Sequence, residues 1–468
     1  MMKAIPKSQP AMTKPIPTAV AYPAGRYRLR SLPSSSWGRL LPSGKRNRFA
    51  GHRGRRRLVA MSVALVAASC TGDSEIVAPW EVQFGSPQAD TSFGVAAAPD
   101  GDVVVALATE GSFGQPNAGR RDVVLARYTN AGSAVWQTQV GGESSDSPLG
   151  LSISPAGFIY VGGFTEGAFA GENAGSADVW LAKFDGDGTE VWRRQFGGEG
   201  WDRGFDVTAF DGGAYITGYT ASVLDLATDR EGFDGFAARF DADGNLEWIR
   251  QVGTDAADWG QGSSLAPDGG LYLTGYTEGV LGDAHSGRKD AFVVRMSPSG
   301  DVVWIRQFGT PELDWPQGVG TTADGGVLLA GSTEGDLNGP NAGLRDAFIA
   351  SFDADGSQRF ITQFGTAGVD SAFEVRAVAG WVVATGSTEG DLGGASGERD
   401  GVLVWLDADG NVVAFDQFGS PGVDDLTGLA VSSSGNVFYS GGTFADLFAT
   451  NEGNSDVVLG SAKGPDDG

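Results

Sequence analysis

The sequence feature that most constrains the fold is a long repeat. Trp-x-x-Gln-Phe-Gly-x4-Asp first occurs at residues 80–90, and its Gln-Phe/Val-Gly core recurs at Gln83, Gln139, Gln195, Gln251, Gln307, Gln363 and Gln417. Each glutamine is followed seven residues later by an aspartate: Asp90, Asp146, Asp202, Asp258, Asp314, Asp370 and Asp424. Successive copies lie 56, 56, 56, 56, 56 and 54 residues apart. A fixed period of this length marks an architecture built from copies of one supersecondary unit. Most of the 468 residues are therefore read as one closed unit, although the length alone would suggest several domains.

The unit itself reads as β. Glycine is abundant (74 residues) without a collagen period, and Val, Ile, Phe and Trp fall in short runs between turn residues, which favours strands over helices. In the copy beginning at Trp304, strands are predicted over 318–322, 326–331, 346–352 and 359–364, with Gly-rich or Asp-Gly turns between them. Four antiparallel strands per unit make a propeller blade, so the expected fold is an all-β, seven-bladed propeller. In residues 178–184, Trp180, Ala182 and Phe184 alternate with Val179 and Leu181, an apolar pattern on both faces that suits a sheet buried between neighbours. The recurrent Trp80, Trp136, Trp192, Trp248 and Trp304 are assigned to core packing, where burying about 200 Å² each would contribute roughly 5 kcal/mol gross. The position decays to Phe360 and Ala414, which predicts that the sixth blade is the weakest packed. The chain opens with a fourth strand, about 76–84, and ends with a third, 456–462. Seven complete blades then require these two to pair, which would also remove two exposed sheet edges.

The block Gly331-Ser-Thr-Glu-Gly335, then Asp346-Ala-Phe-Ile-Ala-Ser-Phe352, Asp353-Ala-Asp-Gly356 and Gln363-Phe-Gly365, resembles the bacterial seven-bladed β-propeller repeat (SBBP repeat) family over about residues 80–462. The resemblance implies an exported or surface-displayed propeller and carries no general catalytic residues.

The N-terminal segment reads as an address. Residues 1–69 hold 14 Lys or Arg and no acid, which leaves the remainder with 19 basic and 58 acidic residues, a net charge of −39. Such a surface disfavours nucleic acid and anionic lipid as partners of the folded part. A basic Pro/Arg-rich prefix (1–57), read as disordered or as a start placed too far upstream, precedes an apolar stretch (58–69), the order of a secretory signal. That stretch is too short for a transmembrane helix. Cys70, the single cysteine, has no intrachain partner. Its place after Val66-Ala67-Ala68-Ser69 resembles the lipobox of bacterial lipoproteins, which implies lipid attachment at Cys70, a tether over 70–79 and, with Thr71 rather than aspartate following, an outer-membrane or cell-surface location. Residues 463–468 form an acidic tail.

Chemistry-bearing residues are few. The Asp-x-Asp-Gly turns at Asp185, Asp241, Asp353 and Asp407 have the oxygen-rich composition of calcium loops. Equivalent turns, Thr129-Asn-Ala-Gly132 and Ser297-Pro-Ser-Gly300, keep the glycine and lose the carboxylates, so they are read as hairpin turns and no cofactor is assigned. The seven aspartates after Gln-Phe-Gly, and the second set Asp122, Asp178, Asp234, Asp290, Asp346, Asp400 and Asp456, recur too regularly for one asymmetric active site and suit side-chain to backbone bonds at loop ends. Only His52 and His285 exist, so no Ser-His-Asp set or zinc cluster can be assembled.

Departure from the repeat points elsewhere. Beside the repeat aspartate, three consecutive copies alone carry tryptophan: Trp201, Trp259 and Trp315, with Arg203, Gln261, Gln317, Glu199, Asp255 and Glu312 nearby. Aromatics with amides and carboxylates at a channel mouth suit stacking on a sugar or gripping a peptide, or they cover the seam between blades. The expected function is a non-enzymatic surface binding or scaffold propeller with a glycan or protein ligand. The alternatives are a polysaccharide-cleaving enzyme using carboxylates of that face, Glu199 or Asp255, and a purely structural surface protein.

Overall fold

The computed structural model of the chain describes residues 78–225, 232–283, 285–394 and 397–465, all within one of its two compact units. The prefix, the apolar stretch and Cys70 lie outside the described residues. Among the described residues there is no helix, and the twenty-eight strands form seven four-stranded sheets. The protein is a seven-bladed β-propeller. Blade 1 spans 90–140, and blades 2 to 6 begin at Asp146, Asp202, Asp258, Asp314 and Asp370.

Blade 7 is made from both ends of the chain. Its strands Asp424–Val431, Val437–Thr443 and Asp456–Ala462 are completed by Glu81–Phe84, which pairs antiparallel with the last of them from Glu81↔Gly460 to Phe84↔Val457. The clasp expected from the strand count is present. Its described strand is shorter than predicted, and residues 76 and 77 lie outside the described region. Closure reuses the repeat's own contacts: Gln83 Nε2 donates to Asp456 at 3.0 Å, and its Oε1 accepts from the Leu447 N–H at 3.0 Å.

That glutamine–aspartate bond occurs in every blade, from Gln139–Asp122 (2.8 Å) to Gln417–Asp400 (2.7 Å). In each blade the same glutamine Oε1 accepts a backbone N–H from the loop joining the second and third strands. The repeat aspartates act at the next crossing, where each accepts the backbone N–H four residues earlier, at 2.5 to 2.7 Å. Buried backbone donors must find acceptors, and these two side chains supply them where the chain leaves one blade for the next.

The core lies between blades. Trp180, Ala182 and Phe184 pack in one cluster while Val179 and Leu181 pack in the next, as the alternation predicts. The recurrent tryptophans add a hydrogen bond to the expected packing. They sit at the outer rim, packed against the clusters mostly as partly buried rings, and each donates its indole N–H to the following blade: Trp80 to Asn130 O at 2.7 Å, Trp136 to Gly186 O at 3.1 Å, Trp192 to Ala242 O at 3.0 Å, Trp248 to Pro298 O at 3.0 Å and Trp304 to Ala354 O at 2.9 Å. They staple the seams as well as pack: Trp192 is a buried member of one cluster and the other four lie against clusters. The turn glycine below explains a second recurrence. Gly132, at φ +80°, has left-handed backbone that glycine favours, and a Cβ there would stand 2.7 Å from the Trp80 ring.

Each innermost strand begins at the repeat aspartate, four residues earlier than predicted in blade 5 (Asp314–Thr321). A β-bulge follows it in all seven blades, at Ser92/Gly94, Pro148/Gly150, Gly204/Asp206, Gly260/Ser263, Pro316/Gly318, Ala372/Glu374 and Leu426/Gly428. A bulge breaks the two-residue alternation and bends its strand, which hid this stretch from a periodicity reading.

Candidate functional site: an aromatic belt and the channel below it

The loops joining blades and those joining second to third strands meet on one face, tied by short parallel bridges such as Arg121↔Ser145 and Ala177↔Trp201. On this loop face the predicted aromatics form a belt over three adjoining seams. Trp259 stacks between Tyr219 of blade 3 (centroids 4.1 Å apart) and Tyr276 of its own blade (5.5 Å), and Tyr276 meets Trp315 of blade 5 edge-on at 5.6 Å. In blade 3 the place of these tryptophans, directly after the repeat aspartate, is taken by Arg203. Its guanidinium lies 4.2 Å from the Phe164 ring and 4.8 Å from the Trp201 ring, within cation–π range. Lys289 caps the other end, 3.9 Å from Tyr276, and burial holds its ammonium below the usual lysine range.

The three tryptophans thus separate. Trp259 is partly buried between Tyr219 and Tyr276, Trp315 is partly buried against Tyr276, and Trp201, 38% exposed, is the one that presents a face to solvent. Glu199, Asp255 and Glu312 are exposed on the neighbouring loops. At the other four seams the corresponding pairs are small or polar: Ala108 with Ser147, Ser332 with Ser371, Ser387 with Asp425 and Gly442 with Thr91.

The Asp-x-Asp-Gly turns lie at the opposite ends of the strands. Asp241 Oδ1 accepts the N–H groups of Asp243 (3.0 Å) and Asn245 (2.8 Å), and Asp407 repeats the pattern with Asp409 and Asn411. The Asn245 and Asn411 side chains and these N–H groups hold both carboxyls below their ordinary range. Asp185 likewise accepts from Asp187 and Thr189, and Asp353 pairs with Arg359 at 2.6 Å. Among the described residues no group of three His, Cys, Asp or Glu is placed to hold a metal ion.

The bulges aim inward. Phe205, Gln261, Gln317, Phe373, Leu149 and Thr427 line a cavity of about 190 Å³ in the central channel, together with Gly262, Asp206 and Glu374. Gln261 and Gln317, grouped from sequence with the tryptophans, are therefore channel residues two positions deeper. Sequence reasoning missed Asp206, Glu374 and Arg376, although a signal existed. The fourth residue after the repeat aspartate is glycine in five copies, Gly94, Gly150, Gly262, Gly318 and Gly428, and acidic in two. The glycine has a packing cause: a Cβ at Gly318 would come within 2.4 Å of Phe373 O, and one at Gly150 within 2.4 Å of the Val207 nitrogen. Blades 3 and 6 replace it with carboxylates.

Asp206 accepts from the Ser263 N–H (2.7 Å), the Ser263 hydroxyl (3.1 Å) and the Val207 N–H (2.7 Å). Burial, reinforced by the charge of Glu374, pushes it up to about 7. Burial also raises Glu374, against the opposing effect of Arg376, whose guanidinium lies 2.7 Å away and also donates to Val319 O.

No protein-family model matches the chain. It is 24% identical over 379 residues, 69% of its length, to the regulatory protein FlaEY of Caulobacter vibrioides, and spans 39% of that relative's length. Similar solved structures include the WD40 β-propeller domain of Doa1 (TM-score 0.47, 11% identity, 82% of this chain and 95% of that one). YCF48 bound to D1 peptide is another (TM-score 0.44, 11% identity, 84% and 100%).

Proposed function

We propose that the propeller is a non-enzymatic binding or scaffold module, displayed outside the cell as an SBBP-type lipoprotein anchored through Cys70, that takes a glycan or protein ligand on its loop face. The observation that supports this reading is the confinement of the aromatic belt to three of the seven seams, ending in the exposed Trp201 beside Arg203. Packing alone gives no reason for that restriction, since the other four seams close with small or polar residues. Rings with a flat exposed face and an adjacent guanidinium suit sugars and peptide side chains. The repeated carboxylates already hold the backbone, so this reading needs no cofactor and no turnover.

The test is binding of the purified chain to a glycan panel and a displayed peptide library. Trp201→Ala should weaken the best ligand at least tenfold with an unfolding midpoint close to the parent, whereas unchanged affinity would leave the belt as seam packing alone. Product release from a glycan, lost in Glu199→Gln or Asp255→Asn, would replace binding with cleavage. Mass spectrometry of membrane-extracted protein tests acylation of Cys70.

A further inference from the structure

We propose that the channel below the belt binds a small organic cation of the guanidinium or ammonium class that also carries an acceptor oxygen, held between Asp206 and Glu374 with Gln261 donating to the acceptor. This goes beyond the belt reading and does not depend on it.

Three independent observations carry it. Asp206 and Glu374 stand where five of seven blades place glycine, in four of them with a neighbour that a Cβ would crowd, and a residue that abandons a packing rule at the lining of a cavity calls for a functional reason. The charges are also unbalanced. Glu374 has Arg376 at 2.7 Å, while Asp206 has hydrogen bonds but no ion pair among the described residues, so the two acids share one cation. Finally, Gln261 is 8% exposed, lines the same cavity, and its Nε2 has no hydrogen-bond partner among the described residues. An orphaned buried donor is disfavoured, and a ligand acceptor would satisfy it.

The cavity fits this class. About 190 Å³ is roughly six times the about 30 Å³ share of a liquid water molecule, room for a guanidinium or ammonium head with part of its stem. Phe205 and Phe373 supply ring surface for the apolar stem or the cation face. The rise of Asp206 through burial and Glu374 gives the site a pH response: an entering cation favours the ionised carboxylate, so binding near neutrality releases a proton.

The experiment is calorimetric titration of the full chain with argininamide, which carries both a guanidinium and a carbonyl oxygen. Citrullinamide serves as the neutral isostere and agmatine as the cation lacking the carbonyl. Expected are saturable binding of argininamide, at least tenfold weaker binding of citrullinamide and agmatine, and proton release at pH 7 detected by comparing phosphate with Tris buffer. Asp206→Asn, which keeps the shape, and Gln261→Leu should each weaken argininamide tenfold or more. No saturable heat with argininamide, or equal affinity for citrullinamide, overturns the proposal with the wild-type chain alone, whatever the variants do. Free and peptide-borne arginine are distinguished by repeating the titration with an acetylated Gly-Arg-Gly amide. Because the belt is probed with glycans and peptide libraries, loss of either result leaves the other standing.

Discussion

Seams from blade 7/1 round to blade 4/5 each carry an indole that donates to the next blade's turn, whereas seams 5/6 and 6/7 carry Phe360 and Ala414 at that position. The turns between third and fourth strands follow the rings. Gly132, Gly188, Gly244 and Gly300 lie directly under Trp80, Trp136, Trp192 and Trp248, and Gly410 lies under Phe360, whereas blade 7 has no such turn to set against Ala414, because its third and fourth strands come from opposite ends of the chain. Thr362 still donates to Gly410 O at 2.6 Å across seam 5/6. Across seam 6/7 Asp416 turns back to bond Trp405 of its own blade at 3.0 Å, and among the described residues no rim bond of either kind joins the blades. The belt follows the same arc, since its seams 2/3, 3/4 and 4/5 are all stapled. Throughout, the glutamine–aspartate bond persists, at Gln417–Asp400 as at Gln307–Asp290. A propeller seam can therefore lose its aromatic rim, which contributes area and one bond, while every blade keeps the internal polar contact that satisfies buried backbone, because an unmade buried bond is the more costly defect.

Breaking this comparison begins with its closure. Removing residues 78–84 takes away the Trp80 staple, the Gln83–Asp456 bond and a whole edge strand, and should abolish cooperative unfolding in calorimetry and leave an aggregating chain. A truncated protein with the parent's midpoint would show that the clasp does not hold the ring.

Next in size is Gln417→Ala against Gln307→Ala. Each removes an amide making several bonds, one to a carboxylate, for an expected loss of about 2 to 4 kcal/mol. Hydrogen exchange should show blade 6 opening locally in the first, for want of a neighbouring staple, while blade 4 in the second stays coupled to the ring. Equal local opening would mean that the rim contributes no cooperativity.

Acidity should act through the buried carboxyls. Burial pushes Asp206 and Asp258 up to about 7 from the ordinary 3.8. A carboxyl raised in the folded state stabilises fully below its unfolded value, and that contribution is lost as pH rises from about 4 through about 7, at up to about 1.4 kcal/mol per pH unit for each group. Unfolding midpoints should thus fall from pH 5 to pH 8, and Asp206→Asn should flatten its share of that slope. A midpoint that rises over this range would contradict the burial argument.

Smaller still is Trp304→Ala, expected to destabilise by about 2 kcal/mol through lost area and one hydrogen bond. The converse, Ala414→Trp, adds ring area at a seam whose next blade has no turn between its third and fourth strands to accept the indole N–H, and should gain less than about 1 kcal/mol in denaturant unfolding.

The number of blades, the four strands in each, the apolar alternation and the shared seventh blade were all legible in the chain, since each follows from a period or from nearest neighbours within one repeat. The bulged starts of the inner strands were not, because Asp314-Trp-Pro-Gln carries no two-residue alternation. Nor was the staple role of the tryptophans, because their acceptors lie 50 residues on, in another blade. The belt was half visible: Trp259 and Trp315 stood out, but their partners Tyr219 and Tyr276 read only as strand residues until the ring set them in register. The channel is the limiting case. Asp206 and Glu374 are 168 residues apart, three repeats round the ring, and only closure brings their charges to one cavity. Local sequence determines what each blade is; what faces across the channel is decided by curvature and blade count, which no single repeat contains.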